Sequence, residues 1–205
     1  MRTGVGRSER PRKKSDEYLQ RAEKVIPGMS QTLSKAPTQF VVGVHPYLIE
    51  RGDGCTVWDV DDNSYLDLTC ALGPITLGYN HPSTVNAISE QIAKGNIFGL
   101  PNRLEIELAE TLCSIVPCAE MVRYGVNGSD ATTAAVRLAR AHTGRNHIVK
   151  CGYHGWQDWT IATHAGRSTG VPQPTKDLTH EFAYNDSASL VKILADNPGQ
   201  IAAII

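Results

Sequence analysis

The four residues Asn127, Gly128, Ser129 and Asp130 follow an apolar stretch and precede a long alanine-rich run. This order predicts a strand, a turn and a helix. The first amides of a helix have no partner within it and, together with the helix dipole, they attract an anion such as a phosphate. Gly128 would let the backbone approach the anion and Ser129 would add a hydroxyl donor, whereas Asp130 would point away in a capping role. Ordinary helix caps use the same residue types, so the turn alone leaves both functions open.

Tyr153 and His154 follow the next predicted strand, within the sequence CGYHGWQDW. Because ligands collect at the carboxyl ends of strands in an open α/β sheet, both residues are expected at the same edge as the turn. An aromatic ring beside a phosphate site suits a flat cofactor that carries a phosphate tail. Each residue alone is also compatible with a structural role. Together with the turn they predict a cofactor site.

The other reactive side chains predict neither a metal centre nor a cysteine nucleophile. Five scattered cysteines are present, namely Cys55, Cys70, Cys113, Cys118 and Cys151. An odd number without a secretory signal predicts free thiols in a reducing compartment, and hence a cytoplasmic protein. Cys151 and His154 have C-x-x-H spacing, but no second ligand pair follows at a finger-like interval, so no metal is expected. The absence of Gly-Lys-Ser/Thr also argues against a nucleoside-triphosphate loop.

The composition predicts a soluble globular protein of 205 residues, with 41% hydrophobic residues and a net charge of −1. Such a charge gives no overall attraction to nucleic acid or membrane, and no apolar run approaches the ~18 residues that span a bilayer. Residues 1–14 are rich in Arg and Lys. We interpret them as a disordered leader, with a nucleic-acid or membrane arm as the alternative.

The elements before residue 120 should be three helices and one hairpin. They are a helix capped by Ser15 and ending near Val25, a hairpin over Cys55–Leu68, a helix from Pro82 to just before Gly95, and a helix over Arg103–Ile115. An isolated hairpin is not stable in water, so this one should pack on another element.

Beyond residue 120 the pattern predicts a parallel βαβ unit with a right-handed crossover. Its parts are a strand over Met121–Val126, a helix over Asp130–His142 and a strand over His147–Cys151. Residues 153–175 predict an irregular loop, Asp186 caps a helix to about Ala195, and Ile201–Ile205 predicts a buried strand. Domain boundaries rarely fall inside a strand, so we interpret the sequence as the front portion of a longer protein.

The motifs WDVDDNSYLDL, LGYNHP, NGSDATTAAVRLARAHTGR and YHGW, in this order, resemble the class III pyridoxal-phosphate-dependent aminotransferases, particularly the branch around glutamate-1-semialdehyde aminomutase. The resemblance extends from Ser15 to Ile205. It implies an α/β protein of fold type I, with an incomplete large domain built on a mainly parallel sheet and an amino-terminal helix and hairpin from the small domain. The implied segments are the leader (1–14), the amino-terminal segment (15–75) and the front part of the cofactor-binding large domain (76–205).

This resemblance implies pyridoxal 5'-phosphate as the cofactor. Asn127, Gly128 and Ser129 would form its phosphate site, Tyr153 would stack on the pyridine ring, and His154 is the neighbour of Tyr153 in the family motif. The family usually has Ser-Gly-Thr-Glu where this chain has Asn-Gly-Ser-Asp, and these conservative changes keep the site. The family also implies a homodimer and a small-molecule amino donor and acceptor. The net charge and the lack of a long apolar run predict no nucleic-acid or membrane partner.

The resemblance leaves the substrate open. Ser30, Gln31 and Lys35 lie near the positions at which the aminomutase meets its substrate carboxylate, and Leu72 replaces a Trp of that enzyme. Both semialdehyde isomerisation and transamination of a sugar, polyketide or other carbonyl metabolite are compatible with these residues.

The resemblance implies no catalytic residue in this chain, because the family's pyridine-nitrogen aspartate and Schiff-base lysine lie beyond the last strand. The lysines considered for that role, Lys94, Lys150, Lys176 and Lys192, do not match the lysine motif. The 205 residues alone are therefore expected to be inactive. Two alternatives remain: a non-catalytic phosphate-binding or interaction module, and a fold type I enzyme of other chemistry, such as a decarboxylase or an epimerase.

Overall fold

The structure, a computed structural model, describes residues 10–205, which form two compact units. The first comprises the described residues up to Pro101 and the second comprises Asn102–Ile205. In the described part, the helices are α1 Lys13–Val25, α2 Pro82–Ile92, α3 Arg103–Ile115, α4 Gly128–Thr143, α5 Asp158–Ile161, α6 Gln173–Asp177 and α7 Ser187–Asp196. The strands are β1 Ile49–Asp53, β2 Thr56–Asp59, β3 Ser64–Leu66, β4 His147–Lys150, β5 Thr179–Glu181 and β6 Ile201–Ile204.

An antiparallel sheet of order β1-β2-β3 organises the first unit. The predicted hairpin is confirmed as β2 and β3, and β1 adds a third strand that the sequence pattern did not predict. Asp59 closes the hairpin turn, because its buried carboxylate accepts hydrogen bonds from the amides of Asp61 and Asn63 and from the Tyr65 hydroxyl, each at 2.9 Å. A carboxylate in this position satisfies turn amides that would otherwise lack partners.

Helix α1 begins at Lys13, so the predicted start at Ser15 is wrong. The residue before the helix, Arg12, makes no side-chain cap. The cap comes from the hairpin turn, where the Asp61 carboxylate accepts bonds from the amides of Lys14 and Ser15, both at 2.8 Å, and from the Ser15 hydroxyl at 2.6 Å. Burial opposes ionisation of Asp61, but these bonds outweigh it and lower its pKa. One carboxylate therefore caps α1 and joins it to the sheet.

The predicted leader needs a correction at its end, since Lys13 and Lys14 are helical. Arg10 donates to the carbonyl of Ser64 at 2.9 Å, and Arg12 donates to that of His45 at 3.2 Å. Residues 10–14 are therefore held against the first unit. Residues 1–9 of the predicted leader lie outside the described residues, and the predicted division at residue 75 remains a prediction.

A left-handed turn over residues 70–72 follows the sheet of the first unit. Cys70, Ala71 and Leu72 have φ angles of 48°, 53° and 71°, and Gly73 follows at 103°. Left-handed backbone costs a residue with a side chain roughly 1–2 kcal/mol. Three consecutive residues of this kind require compensation from their surroundings.

The Asp67 carboxylate supplies that compensation. It accepts bonds from the Thr69 amide and hydroxyl, both at 2.7 Å, from the Ala71 amide at 3.2 Å and from the Tyr79 hydroxyl at 2.7 Å. The bonds from Thr69 and then Tyr79 lower the pKa of Asp67 to about 2, and the bond to Asp67 raises the pKa of Tyr79 to about 12. An ionised Asp67 thus ties the turn to the chain ahead of α2.

A parallel sheet of order β5-β4-β6 organises the second unit. The predicted strand over Met121–Val126 is wrong, because this stretch is irregular. Its terminal side chains, Met121 and Val126, are 93% and 97% exposed, and no strand within residues 10–205 pairs with it. A strand needs a neighbour for its backbone hydrogen bonds. The predicted βαβ unit is therefore replaced by the crossovers that join β4, β5 and β6.

Helix α4 packs against this sheet. Val136 from the helix, Ile148 from β4 and Trp159 from α5 form a buried cluster, and Ala202, Ala203 and Ile205 pack against it. The Trp159 indole also donates to the Thr133 hydroxyl at 3.0 Å. The first half of α4 is thereby fixed against α5 and the sheet.

Several other predicted elements are confirmed. Helices α2, α3 and α4 and strands β4 and β6 lie close to their predicted bounds, and the Asp186 side chain caps α7 by accepting from the Ser189 amide at 3.1 Å. The predicted loop over residues 153–175 is wrong in part, because it contains α5 and the start of α6. Strand β5 was not predicted. Within the described part, no helix combines the length and apolar character that a membrane crossing requires.

Candidate cofactor site

Two side chains cap the start of α4. The Asn127 side-chain oxygen accepts from the Asp130 amide at 3.0 Å, while the Asp130 carboxylate accepts from the amides of Val126 and Asn127, both at 3.2 Å. This is a capping box, in which each side chain satisfies backbone amides at the helix start. The capping role predicted for Asp130 is confirmed. Its carboxylate is committed to the turn that precedes the helix.

The capping box leaves the next two amides free. Within residues 10–205, the amides of Gly128 and Ser129 have no hydrogen-bond acceptor. Gly128 is exposed, and a Cβ atom built on it would meet nothing within 4 Å. Two free amides beside open space at a helix N-terminus form the arrangement that binds phosphate groups in many proteins.

The loop Cys151–Trp156, which follows β4, lies against this helix start. The Trp156 amide donates to the Ser129 hydroxyl at 3.4 Å, and the Thr132 hydroxyl donates to the His154 carbonyl at 2.9 Å. A Cβ atom on Gly155, whose φ is +124°, would lie 1.8 Å from the Ser129 hydroxyl oxygen. Only glycine therefore allows the loop backbone to come so close to Ser129.

Tyr153 and His154 occupy different environments in this loop. The Tyr153 side chain is 77% exposed. The His154 ring is half-buried, with its Nε2 atom 2.9 Å from the Cys151 carbonyl and its plane stacked on Trp159 at 6.1 Å between centroids. The structure thus brings Gly128, Ser129 and the loop together, with Tyr153 open to solvent and His154 holding the loop in place.

Gln157 is a polar residue at this site that the sequence reasoning missed. Its side-chain oxygen is buried and finds no hydrogen-bond partner within the described part of the chain. This oxygen lies 3.0 Å from the position of a Cβ atom on Gly155. The sequence does not indicate this role for Gln157, because its side chain comes near Ser129 only when the loop is folded.

The predicted substrate residues lie in the first unit. Ser30 donates to the Thr32 carbonyl at 2.9 Å and accepts from the Thr32 amide at 3.3 Å, so its hydroxyl stabilises a local turn. Gln31 and Lys35 are exposed in the same turn-rich segment. Elsewhere in this unit, Asp67 and Cys70 line a cavity of about 400 Å³.

The family model of the class III aminotransferases matches residues 40–204, which is most of the chain. The chain therefore belongs to the class III aminotransferase family. This confirms the family that the sequence motifs indicated.

The curated relatives include proteins with two different reaction names. The chain is 42% identical over 203 residues to a glutamate-1-semialdehyde 2,1-aminomutase from Syntrophomonas wolfei, covering 94% of this chain and 46% of the relative. It is 38% identical over 193 residues to a 3-aminobutyryl-CoA aminotransferase from Cloacimonas acidaminovorans, covering 94% of this chain and 45% of the relative. The chain thus spans about half the length of the curated relatives that it matches.

Solved structures show the same fold. The FumI protein of Sphingopyxis sp. MTA144, solved in a form that contains PLP, matches with a TM-score of 0.83 and 32% identity over 92% of this chain and 45% of its own. A transaminase solved with PLP bound matches with a TM-score of 0.84 and 28% identity, over 95% of this chain and 47% of its own. The predicted α/β architecture of fold type I is therefore confirmed.

Proposed function

We propose that this chain provides the phosphate site of a pyridoxal 5'-phosphate enzyme that moves amino groups. The observation that carries the proposal is the pair of free amides at Gly128 and Ser129, which stand beside open space in a class III aminotransferase. Their helix has 16 residues, so its dipole reinforces the attraction of a phosphate at this end.

The residues around the pair fit a phosphate group. The Ser129 hydroxyl accepts a bond from the Trp156 amide, so its own proton is available for a phosphate oxygen. The Asp130 carboxylate is occupied by two amides that precede the helix. Asn127 contributes indirectly, because its side chain fixes the amide of Asp130 and with it the geometry of the first turn.

Tyr153 would provide the contact for the pyridine ring. Its exposed ring lies on the loop whose backbone is held against Ser129, so a phosphate at Ser129 would place a ring within reach of this loop. His154 would position the loop through its bond to Cys151 and its stacking on Trp159. When bound, pyridoxal phosphate supplies the electron sink that amino-group transfer requires.

The reaction of the whole protein would be amino transfer, or its intramolecular form, on a small carbonyl or amino-acid-like metabolite. The names of the relatives support both, since one is an aminomutase and another an aminotransferase. We assign Ser30, Gln31 and Lys35 to substrate binding, because they occupy the segment that has this role in the resemblance described above. Gln31 and Lys35 are exposed, which is compatible with that role.

The whole protein would be a homodimer in a reducing compartment such as the cytoplasm. The loop before α3 supports the first part, because Ile97 and Leu100 are 87% and 81% exposed, as expected of side chains that a partner subunit covers. The five free cysteines support the second part.

These 205 residues alone would bind the cofactor without forming a covalent bond to it. Two of the lysines are engaged, since Lys150 is buried against Glu181 at 3.1 Å and Lys192 pairs with Asp196 at 2.7 Å. The proposal predicts that borohydride treatment in the presence of pyridoxal phosphate attaches no cofactor to a specific lysine. Stoichiometric labelling of one lysine, detected by peptide mass spectrometry, would contradict it.

The phosphate role of Ser129 is tested by replacing it with alanine and measuring the dissociation constant of pyridoxal phosphate. Loss of one charge-assisted hydrogen bond is worth about 1–2 kcal/mol, so binding should weaken roughly fivefold to thirtyfold. Ser187→Ala is the matched control, because Ser187 is exposed in the first turn of α7 in the same unit. An unchanged dissociation constant for Ser129→Ala would remove Ser129 from the phosphate site.

A further inference from the structure

An ion pair between a buried lysine and a partly exposed glutamate joins the carboxyl ends of β4 and β5. Lys150 and Glu181 are the last residues of these strands and are direct partners in the sheet. The Lys150 amine lies 3.1 Å from Glu181 Oε2, and the Lys150 side chain is only 3% exposed. The hydroxyl of Thr163 donates to the same carboxylate oxygen. One carboxylate on β5 thus binds groups from two other parts of the second unit.

These contacts lie at both ends of the segment that carries the loop Cys151–Trp156. Cys151 follows Lys150 directly, and Thr163 lies two residues beyond the end of α5. Between them lie Tyr153 and Trp156. The Glu181 carboxylate therefore anchors the chain both before and after the loop Cys151–Trp156.

The three anchoring residues do not touch the proposed phosphate site. Within residues 10–205, no hydrogen bond joins Lys150, Glu181 or Thr163 to Gly128, Ser129 or Tyr153. Their effect on a ligand must therefore act through the loop. Because the Lys150–Glu181 pair and the Thr163 bond hold the chain at both ends of the loop, removing them would let the loop backbone move.

We propose that Lys150, Glu181 and Thr163 are positioning residues that set the placement of the Tyr153 ring over the cofactor. This inference rests on the proposed function, because it assumes that the loop contacts the ring of pyridoxal phosphate. It assigns to the anchoring residues an effect on the ring side of the ligand and none on the phosphate side. The two sides can be measured with different probes.

The test uses the double variant Lys150→Met/Glu181→Leu, which removes both charges and leaves apolar side chains of comparable length. Apolar replacement of an ion pair at a buried position, such as that of Lys150, often preserves stability. We expect pyridoxal phosphate to bind about threefold to tenfold more weakly, which corresponds to one aromatic contact, while inorganic phosphate competes as it does in the unmodified chain. The matched control is Lys192→Met/Asp196→Leu, since this exposed pair on α7 has the same chemistry and lies outside the loop.

A second readout needs no ligand. Trp156 lies in the loop with an exposed indole, so its fluorescence emission should shift in the double variant and remain unchanged in the control. If the emission and the cofactor affinity of the folded variant both equal those of the unmodified chain, the inference is wrong. If the double variant does not fold, Thr163→Val is used instead, because it keeps the ion pair and removes only the hydrogen bond from Thr163 to Glu181. Its fluorescence emission and its cofactor affinity are then judged in the same way.

Failure of the proposed function gives a different result. In that case the unmodified chain does not bind pyridoxal phosphate, or Ser129→Ala binds it equally well. The Trp156 emission of the double variant then shows whether the anchoring residues position the loop. An emission equal to that of the unmodified chain overturns the inference.

Discussion

Replacing Gly155 by alanine would test how closely the loop approaches α4. The new Cβ atom would lie 1.8 Å from the Ser129 hydroxyl oxygen and 2.6 Å from the Ser129 Cβ atom, and φ at this buried residue is +124°. A side chain in such a sparsely populated backbone region costs about 1–3 kcal/mol. Forcing an additional methyl group into a packed site costs about 1–3 kcal/mol more. We therefore expect the free energy of unfolding to fall by about 2–6 kcal/mol.

Urea denaturation followed by far-ultraviolet circular dichroism measures this loss, and two further variants separate its causes. Gly166→Ala carries only the backbone penalty, about 1–2 kcal/mol, because φ there is +79° and no atom lies within 4 Å of the new Cβ. Ser129→Gly/Gly155→Ala removes the side chain that the methyl group would strike, so a double-mutant cycle isolates the steric part. The reasoning is refuted if Gly155→Ala is no more destabilising than Gly166→Ala.

Three further predictions concern single side chains. A carboxyl group with a lowered pKa stabilises the fold above its ordinary pKa of 3.8 and loses that contribution as the pH falls through about 2, so Asp67→Asn should reduce the loss of stability between pH 4 and pH 2. Urea titrations at both pH values measure this loss, and an equal loss in the variant and the unmodified chain contradicts the prediction. Asp61→Ala removes three hydrogen bonds to α1 and should destabilise the first unit by about 1–3 kcal/mol, measured by urea denaturation, whereas a loss below about 0.5 kcal/mol would show that α1 needs no such cap. Tyr153→Ala should weaken pyridoxal phosphate binding and shift the cofactor absorption spectrum, and a variant that changes neither would exclude Tyr153 from the site.

Local patterns predicted the start of α4 well. Asn127 and Asp130 are three residues apart, and their mutual capping depends only on that spacing and on the alanine-rich run that follows. The same holds for Asp186 at α7. These contacts form between neighbours in the chain, so the sequence contains all the information that they need.

The errors arose where distant residues decide the structure. Met121–Val126 has an apolar composition suited to a strand, but strand formation also depends on a partner at the right distance. The cap of α1 comes from Asp61, which lies 46 residues from Ser15. The Lys150–Glu181 pair likewise depends on the register of two strands. Such long-range contacts leave no periodic signal in the sequence. The sequence therefore predicted helix α4 at the candidate site but not the Lys150–Glu181 pair near the loop.

The left-handed turn over residues 70–72 limits which side chains can vary there. Branched side chains such as Val, Ile and Thr tolerate positive φ poorly, and proline has a fixed negative φ. Directed evolution at Cys70, Ala71 and Leu72 would therefore recover mainly Gly, Asn, Asp and unbranched residues, whatever selection is applied. The usable diversity of this segment is set by its backbone, and a library that samples all twenty amino acids at the three positions would consist largely of destabilised proteins.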